Sequence, residues 1–268
     1  MTRNLIRIGH VAIDRLTQED ALHKVRALMT ARRGGFVVTP NVDHIVRAER
    51  DLRLRAAYAR AALSLADGQP LLWMARALGT PLPEKISGSD LIDPLMALAA
   101  AESRRVFFFG ARPDVSAEAE RRLRARHPGL QIVGRDCSYW SPEETGAPDQ
   151  APVARAIREA RADLVIVALG SPKQELWMAR HERAIAPALA VGLGASLDFA
   201  AGAVPRAPGW MSRGGVEWLF RLAQEPRRLV YRYLVRDLQI LPIFAGELGR
   251  RITRRASAHP LTDSEVSL

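Results

Sequence analysis

The feature that most constrains the fold is an alternation of short apolar runs with longer helix-length segments along the 268 residues. The apolar runs resemble buried strands and lie at 36–39, 105–109, 164–169 and 188–193. The segments typical of helices lie at 42–60, 113–126 and 173–185. Strands that are apolar on both faces and separated by helices indicate a parallel sheet with helices on both sides. We therefore predict an α/β, Rossmann-like fold with a mostly parallel sheet and a basic helical C-terminal appendage.

Local signals place several boundaries within this pattern. Thr17 and Asp20 have the spacing of a capping box at a helix start. Pro172 stands where a first-turn proline is tolerated, and His127-Pro128-Gly129 ends the preceding helix. Residues 139–150, which are rich in Pro and Gly, are interpreted as a surface excursion between two α/β units.

The amino-acid composition narrows the classes of partner that the chain can bind and the cellular compartment in which it is expected. The chain carries 39 Lys and Arg against 29 Asp and Glu, a net charge of +10, and only three of the basic residues are Lys. An arginine excess suits phosphates, nucleic acid or acidic lipid, although abundant Ala and Arg also fit genome composition. One cysteine, Cys137, excludes an intrachain disulfide. Without a signal peptide or an apolar stretch of about 18 residues, a cytoplasmic location is expected, with attachment to the inner membrane face left open.

The composition changes after Gly202. Residues 203–256 hold eleven Arg and four acidic residues, a net charge of +7, with apolar residues between them. Pro226 and Pro242 are predicted to divide this stretch into short helices. We predict an α/β core over residues 1–202, an appendage over 203–256 and a flexible tail over 257–268.

Polar and glycine residues follow each predicted strand, where ligands collect in open α/β sheets. The candidates at these strand ends are Thr39, Asn41, Asp67, Gly110, Gln174 and Asp198. Glycines there let a phosphate approach backbone N–H groups, and the following helix N-termini favour anions. Neither a GxGxxG fingerprint nor a GxxxxGK[ST] loop is present, which disfavours ordinary NAD enzymes and P-loop NTPases.

Asp67 has two interpretations. A carboxylate on a strand-to-helix turn among apolar residues can act as a general base, but it can equally be a helix N-cap, which the spacing alone favours. Asp198 has the same ambiguity. The two carboxylates together would suit a divalent cation, yet the sequence contains no DxD element and no His/Cys ligand cluster, so no metal is expected. His10, His44 and His181 are interpreted as structural.

Six segments in order, with matching spacing, resemble one family of bacterial glycosyltransferases. That family includes the wall-teichoic-acid N-acetylmannosaminyltransferase, the enterobacterial-common-antigen N-acetylmannosaminuronic acid transferase and related capsule and exopolysaccharide enzymes. The segments are TPNVDHIVRA at 39–48, ADGQPLLWMARALGTPLPEKISGSDL at 66–91, VFFFGARP at 106–113, LGSPKQELWM at 169–178, GLGASLDFAAGAVPRAP at 192–208 and GVEWLFRLAQEPRRLVYRYLV at 215–235.

The resemblance implies an inverting, metal-independent transfer of a sugar from a UDP-sugar to a polyprenyl-diphosphate-linked sugar, with no cofactor. It implies that Asp67 is the general base. Thr39, Asn41, Gln174 and Asp198 match pocket residues. Lys85 stands where the family commonly has Arg, so it keeps the charge without the bidentate fork. Arg221 and Arg228 match arginines of an appendage that closes over the active site.

Arginine side chains and backbone N–H groups would then stabilise the departing diphosphate without a metal. The basic amphipathic appendage would also adsorb to anionic lipid, where the polyprenyl acceptor resides. The donor stays open among N-acetylmannosamine, N-acetylmannosaminuronic acid, glucose and glucuronic acid. Two other classes compete with this interpretation. One is a nucleic-acid-binding protein that uses the Arg-rich segment, and the other is an inactive family member, against which the joint presence of Asp67, Thr39 and Asn41 argues.

Overall fold

The computed structural model describes residues 3–140, 151–205, 207, 211, 217–224 and 226–257. Its strands are β1 (Leu5–Ile8), β2 (Val11–Asp14), β3 (Phe36–Val38), β4 (Leu63–Ser64), β5 (Arg105–Gly110), β6 (Gln131–Asp136), β7 (Leu164–Ala168) and β8 (Leu189–Gly192). The helices of the first 205 residues are α1 (Gln18–Ala31), α2 (Val42–Ala48), α3 (Leu52–Arg60), α4 (Gln69–Ala77), α5 (Gly88–Ala101), α6 (Pro113–Arg126), α7 (Ala151–Glu159), α8 (Lys173–Ile185) and α9 (Ser196–Ala201).

From residue 217 onward, the described residues of the C-terminal part are helical. It consists of α10 (Glu217–Gln224), α11 (Pro226–Tyr231), a π-helical turn (Arg232–Arg236), a 3-10 turn (Asp237–Gln239) and α12 (Ile240–Ser257). Pro242 lies in the first turn of α12, where a missing N–H costs little, so the predicted break at this proline is wrong. The irregular turns that interrupt the helix lie just before it, at 232–239.

Six strands form one parallel sheet in the order β4-β3-β8-β7-β5-β6. Side chains of successive residues enter two different cores. Val106 and Phe108 of β5 face one core, and Phe107 and Phe109 face the other. The predicted α/β fold with a parallel sheet covered on both faces is confirmed, and the apolar runs are continuous because both faces of each strand are buried.

The two cores are covered by different helices. Residues of α1, α5, α6 and α9 pack on one face of the sheet. Residues of α2, α3, α4, α7 and α8 pack on the other, together with Ile240 at the start of α12. Ile243 and Phe244 pack against this second core as well. The C-terminal segment is therefore docked on the α/β part of the chain through α12, while the boundary at 202/203 and the separate appendage stay predictions.

An antiparallel hairpin, β1 and β2, lies beside the sheet and was not predicted. Its strands are only four residues long, and β1 alternates exposed and buried residues. Asp14 at the end of β2 accepts a hydrogen bond from the backbone N–H of Ser64 at 2.9 Å and pairs with Arg3. The hairpin thus pairs through Asp14 with β4, the edge strand that is only two residues long.

The helix boundaries in the structure can be compared with the starts and ends predicted from capping and proline residues. The capping box of Thr17 and Asp20 is confirmed at the start of α1, and α6 ends before His127. The single helix predicted over 42–60 is wrong, because Asp51 caps a second helix, α3, with its side chain. Pro172 occupies the N-cap of α8 rather than its first turn. The excursion predicted at 139–150 lies outside the described residues from 141 onward, and so does the tail predicted over 257–268 after Ser257.

Candidate active site

The chain leaves two neighbouring strands toward opposite faces of the sheet. Strand β3 leads into α2, which packs on one face, and β8 leads into α9, which packs on the other. Such a switch point opens a crevice at the carboxyl ends of the strands. Thr39 lies at this point, buried, and its hydroxyl donates to the backbone oxygen of Gly192 at 3.1 Å. The hydroxyl therefore ties the ends of β3 and β8 together.

Asn41 is the N-cap of α2. Its side-chain oxygen accepts a hydrogen bond from the backbone N–H of His44 at 3.2 Å. The same oxygen accepts from Nη2 of Arg232, also at 3.2 Å. Asn41 therefore contacts both the helix that it starts and the C-terminal segment docked on it.

Asp67 follows β4 and lies next to the end of β3. Its backbone N–H donates to the backbone oxygen of Pro40 at 2.9 Å. The N-cap position of α4 belongs to Gly68, and no side chain provides a cap hydrogen bond there. The N-cap interpretation, which the spacing favoured for Asp67, is therefore wrong in position. The half-buried side chain belongs to the residue directly before this N-cap, at the carboxyl end of the sheet.

Lys85 lies beside this turn. The backbone N–H of Ile86 donates to the oxygen of Ala66 at 2.8 Å, which aligns the segment before α5 with the end of β4. Lys85 Nζ is 2.8 Å from Oδ2 of Asp90, which also accepts from the Ser87 hydroxyl at 2.5 Å. The cation is thus held by a carboxylate in the first turn of α5.

The start of α5 also contacts the turn after β8. A Cβ atom built on Gly88 would lie 2.7 Å from the Ser196 hydroxyl and 2.9 Å from the oxygen of Leu193. Only glycine permits this approach. Asp198, two residues beyond Ser196, is half-buried in the first turn of α9, where a carboxylate is favoured by the helix dipole.

Gln174 and Glu175 stand in the first turn of α8, after β7. Both side chains are buried, at 2% and 0% exposure. Gln174 Oε1 accepts from the backbone N–H of Gly194 at 2.9 Å, and Gln174 Nε2 donates to Glu175 Oε1 at 2.9 Å. Gln174 therefore joins the ends of β7 and β8.

Gly110 ends β5, the neighbour of β7. Its φ is +88°, and a Cβ would lie 2.8 Å from backbone atoms of Ala168. A side chain is excluded on both counts, so glycine is required for the chain to turn here. The structure thus places Thr39, Asn41, Asp67, Gly110, Gln174 and Asp198 along one edge of the sheet. The direct contacts are concentrated at β4, β3, β8 and β7.

The C-terminal segment reaches this edge through a group of charged residues that we term the Asp43 cluster (Asp43, Arg47, Arg232, Arg236 and Asp237). Asp43 is only 3% exposed and pairs with Arg47 Nε at 2.9 Å and Arg236 Nη1 at 3.0 Å. Arg232 Nε is 3.9 Å from Asp43 and 3.7 Å from Asp237. Two arginines of the C-terminal segment thus meet a buried carboxylate in α2, two residues after Asn41.

The electrostatics of the cluster follow from burial and pairing. Burial alone would raise the pKa of Asp43, but Arg232, Arg47 and Arg236 hold it below its ordinary value. Burial raises the pKa of Asp237 to about 6 because its arginine contacts compensate only partly and Asp43 repels it. Burial lowers the pKa of His44 to about 3, and this neutral ring shares a 3.0 Å hydrogen bond with the Tyr58 hydroxyl.

Sequence reasoning assigned no role to Asp43, Glu175, Arg232 or Arg236. A helical spacing of four residues in both Asp43–Arg47 and Arg232–Arg236 was available as a signal, but that spacing is common on solvated helix faces. The predicted residues Arg221 and Arg228 belong to α10 and α11, and their side chains lie outside the described part of the structure. His44 and His181 have structural hydrogen bonds, to Tyr58 and to the backbone oxygen of Trp177.

Within the described residues, no group of three or more His, Cys, Asp or Glu side chains is arranged to hold a metal ion. Of the helices between residues 3 and 257 that the structure describes, none combines the length and the apolar character needed to cross a bilayer.

The sheet is parallel and Rossmann-like, and polar side chains gather where the chain leaves two neighbouring strands toward opposite faces. This arrangement is typical of an α/β enzyme whose crevice lies at the carboxyl ends of the strands. The chain matches the glycosyl transferase WecG/TagA/CpsF family over residues 6–255. It belongs to that family and is therefore a glycosyltransferase. A relative from Bacillus spizizenii, named N-acetylglucosaminyldiphosphoundecaprenol N-acetyl-beta-D-mannosaminyltransferase, is 34% identical over 206 residues, or 77% of each chain.

Proposed function

We propose that this glycosyltransferase moves N-acetylmannosamine from a UDP-linked donor to N-acetylglucosamine on a polyprenyl diphosphate, with inversion, in cell-surface polysaccharide synthesis. The observation that carries the proposal is the 34% identity to a relative whose name states this acceptor and this transferred sugar. The gathering of Thr39, Asn41 and Asp67 at one switch point supports it.

In this proposal, Asp67 removes the proton from the acceptor hydroxyl as that oxygen attacks the anomeric carbon. The residue follows β4 at the carboxyl end of the sheet, beside the end of β3, and its side chain is half-buried. The UDP diphosphate leaves from the opposite face of the sugar. Its charge is stabilised by Lys85, by the arginines Arg221 and Arg228 and by backbone N–H groups at the helix starts.

The proposal includes no metal and no cofactor. The expectation that no metal is needed rests on two points. The sequence has no DxD element, and basic side chains can stabilise the charge of the diphosphate in place of a metal ion. Transfer should survive EDTA and gain little from Mg²⁺ or Mn²⁺. A complete loss in chelator that Mn²⁺ restores would contradict this part of the proposal and would identify Asp198 or Asp90 as candidate ligands.

We also place the enzyme on the inner face of the cell membrane, as a peripheral protein on anionic lipid and not on nucleic acid. Exposed apolar side chains recur at helical spacing along the docked C-terminal segment, at Tyr231, Val235, Leu238, Leu241 and Leu248. The buried side chains Leu229 and Ile240 face the other way. An apolar stripe on an Arg-rich segment is suited to a lipid surface.

The direct test is UDP release with a panel of donors and a short-chain prenyl-diphosphate N-acetylglucosamine acceptor. We expect acceptor-dependent release with UDP-N-acetylmannosamine and an inverted product linkage by NMR. UDP release only with UDP-glucose or a UDP-uronic acid would show that N-acetylmannosamine is not the transferred sugar. It would favour a role in exopolysaccharide synthesis. No transfer from any donor, together with salt-sensitive binding of DNA or RNA, would overturn the proposal.

A further inference from the structure

Glu175 is a fully buried acidic residue whose place the proposed reaction does not explain. It has 0% exposure and follows Gln174 in the first turn of α8. Acidic side chains are almost never this deeply buried unless a partner holds them. Its second carboxyl oxygen, Oε2, has no hydrogen-bond partner of normal geometry within the described structure, so the contact through Oε1 is the one that defines its role.

That contact determines which way the Gln174 amide faces. Glu175 Oε1 accepts from Gln174 Nε2, which leaves Gln174 Oε1 to accept from the backbone N–H of Gly194. A reversed amide would place an NH₂ group against the N–H of Gly194 and an oxygen against the carboxyl oxygen of Glu175. Both hydrogen bonds would be lost at once. Glu175 therefore selects a single orientation of its neighbour.

Burial raises the pKa of Glu175, and the hydrogen bond from Gln174 and the charge of Arg47 offset only part of that rise. The negative charge of Glu175 would also raise the pKa of the buried Tyr58. Oε1 can accept the hydrogen bond from Gln174 in either protonation state, because a proton on the carboxyl group can lie on Oε2.

The turn that Gln174 holds is part of the crevice. Gly194 follows Gly192, whose backbone oxygen accepts from Thr39. The same turn approaches the start of α5 at Gly88. Thr39 at the end of β3, Gln174 in α8 and Gly88 in α5 therefore contact three consecutive residues, 192–194, and the Gln174 amide is bonded to the last of them.

We propose that Glu175 is a positioning residue of the sugar transfer, which orients the Gln174 amide and so fixes the turn at 192–195 in the shape that the crevice requires. The kinetic test of this inference rests on the proposed function, because it measures sugar transfer. The structural test is independent of that function, since the orientation of Gln174 is measurable without substrate.

The kinetic test compares two substitutions of similar size. Glu175→Met removes the acceptor, and we expect kcat to fall about 10- to 100-fold, with a smaller change in KM for the donor, because the crevice is formed less often. Glu175→Gln retains a carbonyl oxygen for Gln174 and should keep kcat within about threefold of the native value. A Glu175→Gln variant as slow as Glu175→Met would overturn the proposal.

A double-mutant cycle tests whether Glu175 acts through its neighbour. In a Gln174→Ala background, Glu175→Met should cause no further loss of kcat, because there is no amide left to orient. Equal losses in both backgrounds would contradict the inference. Leu176→Ala, in the next position of the same helix, is the matched control. It should lower the thermal midpoint while leaving turnover of the folded protein unchanged.

The structural test uses the side-chain NH₂ signal of Gln174 in ¹⁵N-labelled protein without ligand, assigned by its loss in Gln174→Ala. We expect slow hydrogen exchange in the native protein and in Glu175→Gln, and fast exchange or a shifted signal in Glu175→Met. An unchanged signal in Glu175→Met, or fast exchange in a folded Glu175→Gln, would overturn the inference. If Glu175→Met does not fold, Glu175→Gln alone still decides. Absence of transfer by the native protein would overturn the proposed function while this signal still tests Glu175.

Discussion

At the scale of single residues, the polar side chains of the crevice are bonded to the loops that form it. The Thr39 hydroxyl holds β8, the Asn41 amide starts α2, and the Gln174 amide holds the turn after β8. Each hydrogen bond is worth only about 1 kcal/mol net, but a buried group left without its partner costs more. Substitutions here should therefore alter the shape of the crevice as well as its chemistry.

Asp67 gives the sharpest prediction at this scale. Asp67→Asn removes the base but keeps the size of the side chain, so turnover should fall by about two to four orders of magnitude. UDP binding by calorimetry and the thermal midpoint should stay close to native values. Turnover is measured by UDP release with acceptor present.

Asp93→Asn is the matched control for Asp67→Asn. Asp93 lies in α5 and pairs with Arg126 and His127 at the end of α6. Its substitution should leave turnover at the native level. Native turnover in Asp67→Asn would show that another group removes the proton.

At the scale of elements, the Asp43 cluster joins α2 to the C-terminal segment. Asp43→Ala would leave Arg232 and Arg236 without their shared carboxylate in a largely buried place. We expect a loss of about 3 kcal/mol in the free energy of unfolding, because breaking a buried ion pair costs far more than a surface one. Urea denaturation measures this loss, and faster hydrogen exchange in α11 and α12 should accompany it.

Glu118→Ala is the comparison for the Asp43 substitution. Glu118 pairs with Arg121 and Arg122 on the solvated face of α6, where ion pairs contribute little to stability. Equal destabilisation by the two substitutions would mean that the cluster does not fasten the segment.

Asp237 makes the stability of this element depend on pH. Its pKa is about 6 in the folded chain, against 3.8 for an ordinary Asp, so the folded state binds the extra proton between these values. Stability from this group is therefore greatest below about pH 4 and declines as pH rises through 6. Asp237→Asn removes the decline, and the variant should gain about 1 to 3 kcal/mol over the native protein between pH 4.5 and 7.

The pH measurement is urea unfolding of both proteins at pH 4.5 and pH 7. Charged neighbours Arg232, Asp43, Arg236 and Arg47 face Asp237 in both proteins, so the difference between the two isolates the titration of Asp237. A difference that is the same at both pH values would contradict the raised pKa.

How much of each element the sequence could predict depended on its burial and length. The runs at 105–109 and 164–169 were recognisable because both faces are apolar, whereas β4 has only two residues and was indicated only by the strand-to-helix turn interpreted at Asp67. The strand-end rule found Thr39, Asn41 and Asp67. It could not find Asp43 or the role of Glu175, because acidic residues in a first helical turn normally face solvent, and only the packing of α8 and the C-terminal segment buries them.

At the scale of the whole molecule, truncation at Ala203 separates the roles of the two parts. The sheet and its covering helices are complete before this residue, so the shortened chain should fold. It should be less stable, because Asp43 loses Arg232 and Arg236 and the core loses Ile240. It should have no measurable transfer to a water-soluble acceptor, because Arg221 and Arg228 are absent. Circular dichroism and UDP release check these outcomes, and native turnover would contradict a catalytic role for the segment.

Lipid binding is the second property that truncation should remove. Full-length protein should co-sediment with vesicles of anionic lipid and should detach as salt rises, since the attraction is partly electrostatic. The truncated chain should stay in the supernatant at every salt concentration. Equal sedimentation of the two proteins would contradict a membrane-facing segment.

Helix α2 has seven residues, begins at a side chain of the crevice and carries the carboxylate that holds the C-terminal segment. In a hybrid enzyme, the surface that the C-terminal segment must match therefore lies on α2, far from that segment in the sequence. A foreign C-terminal segment grafted after residue 202 would arrive without the surface that it evolved against. A foreign segment transplanted together with residues 41–48 would bring the helix that it normally contacts. In hybrids built in this way, a change in acceptor preference can be separated from poor assembly of the two parts.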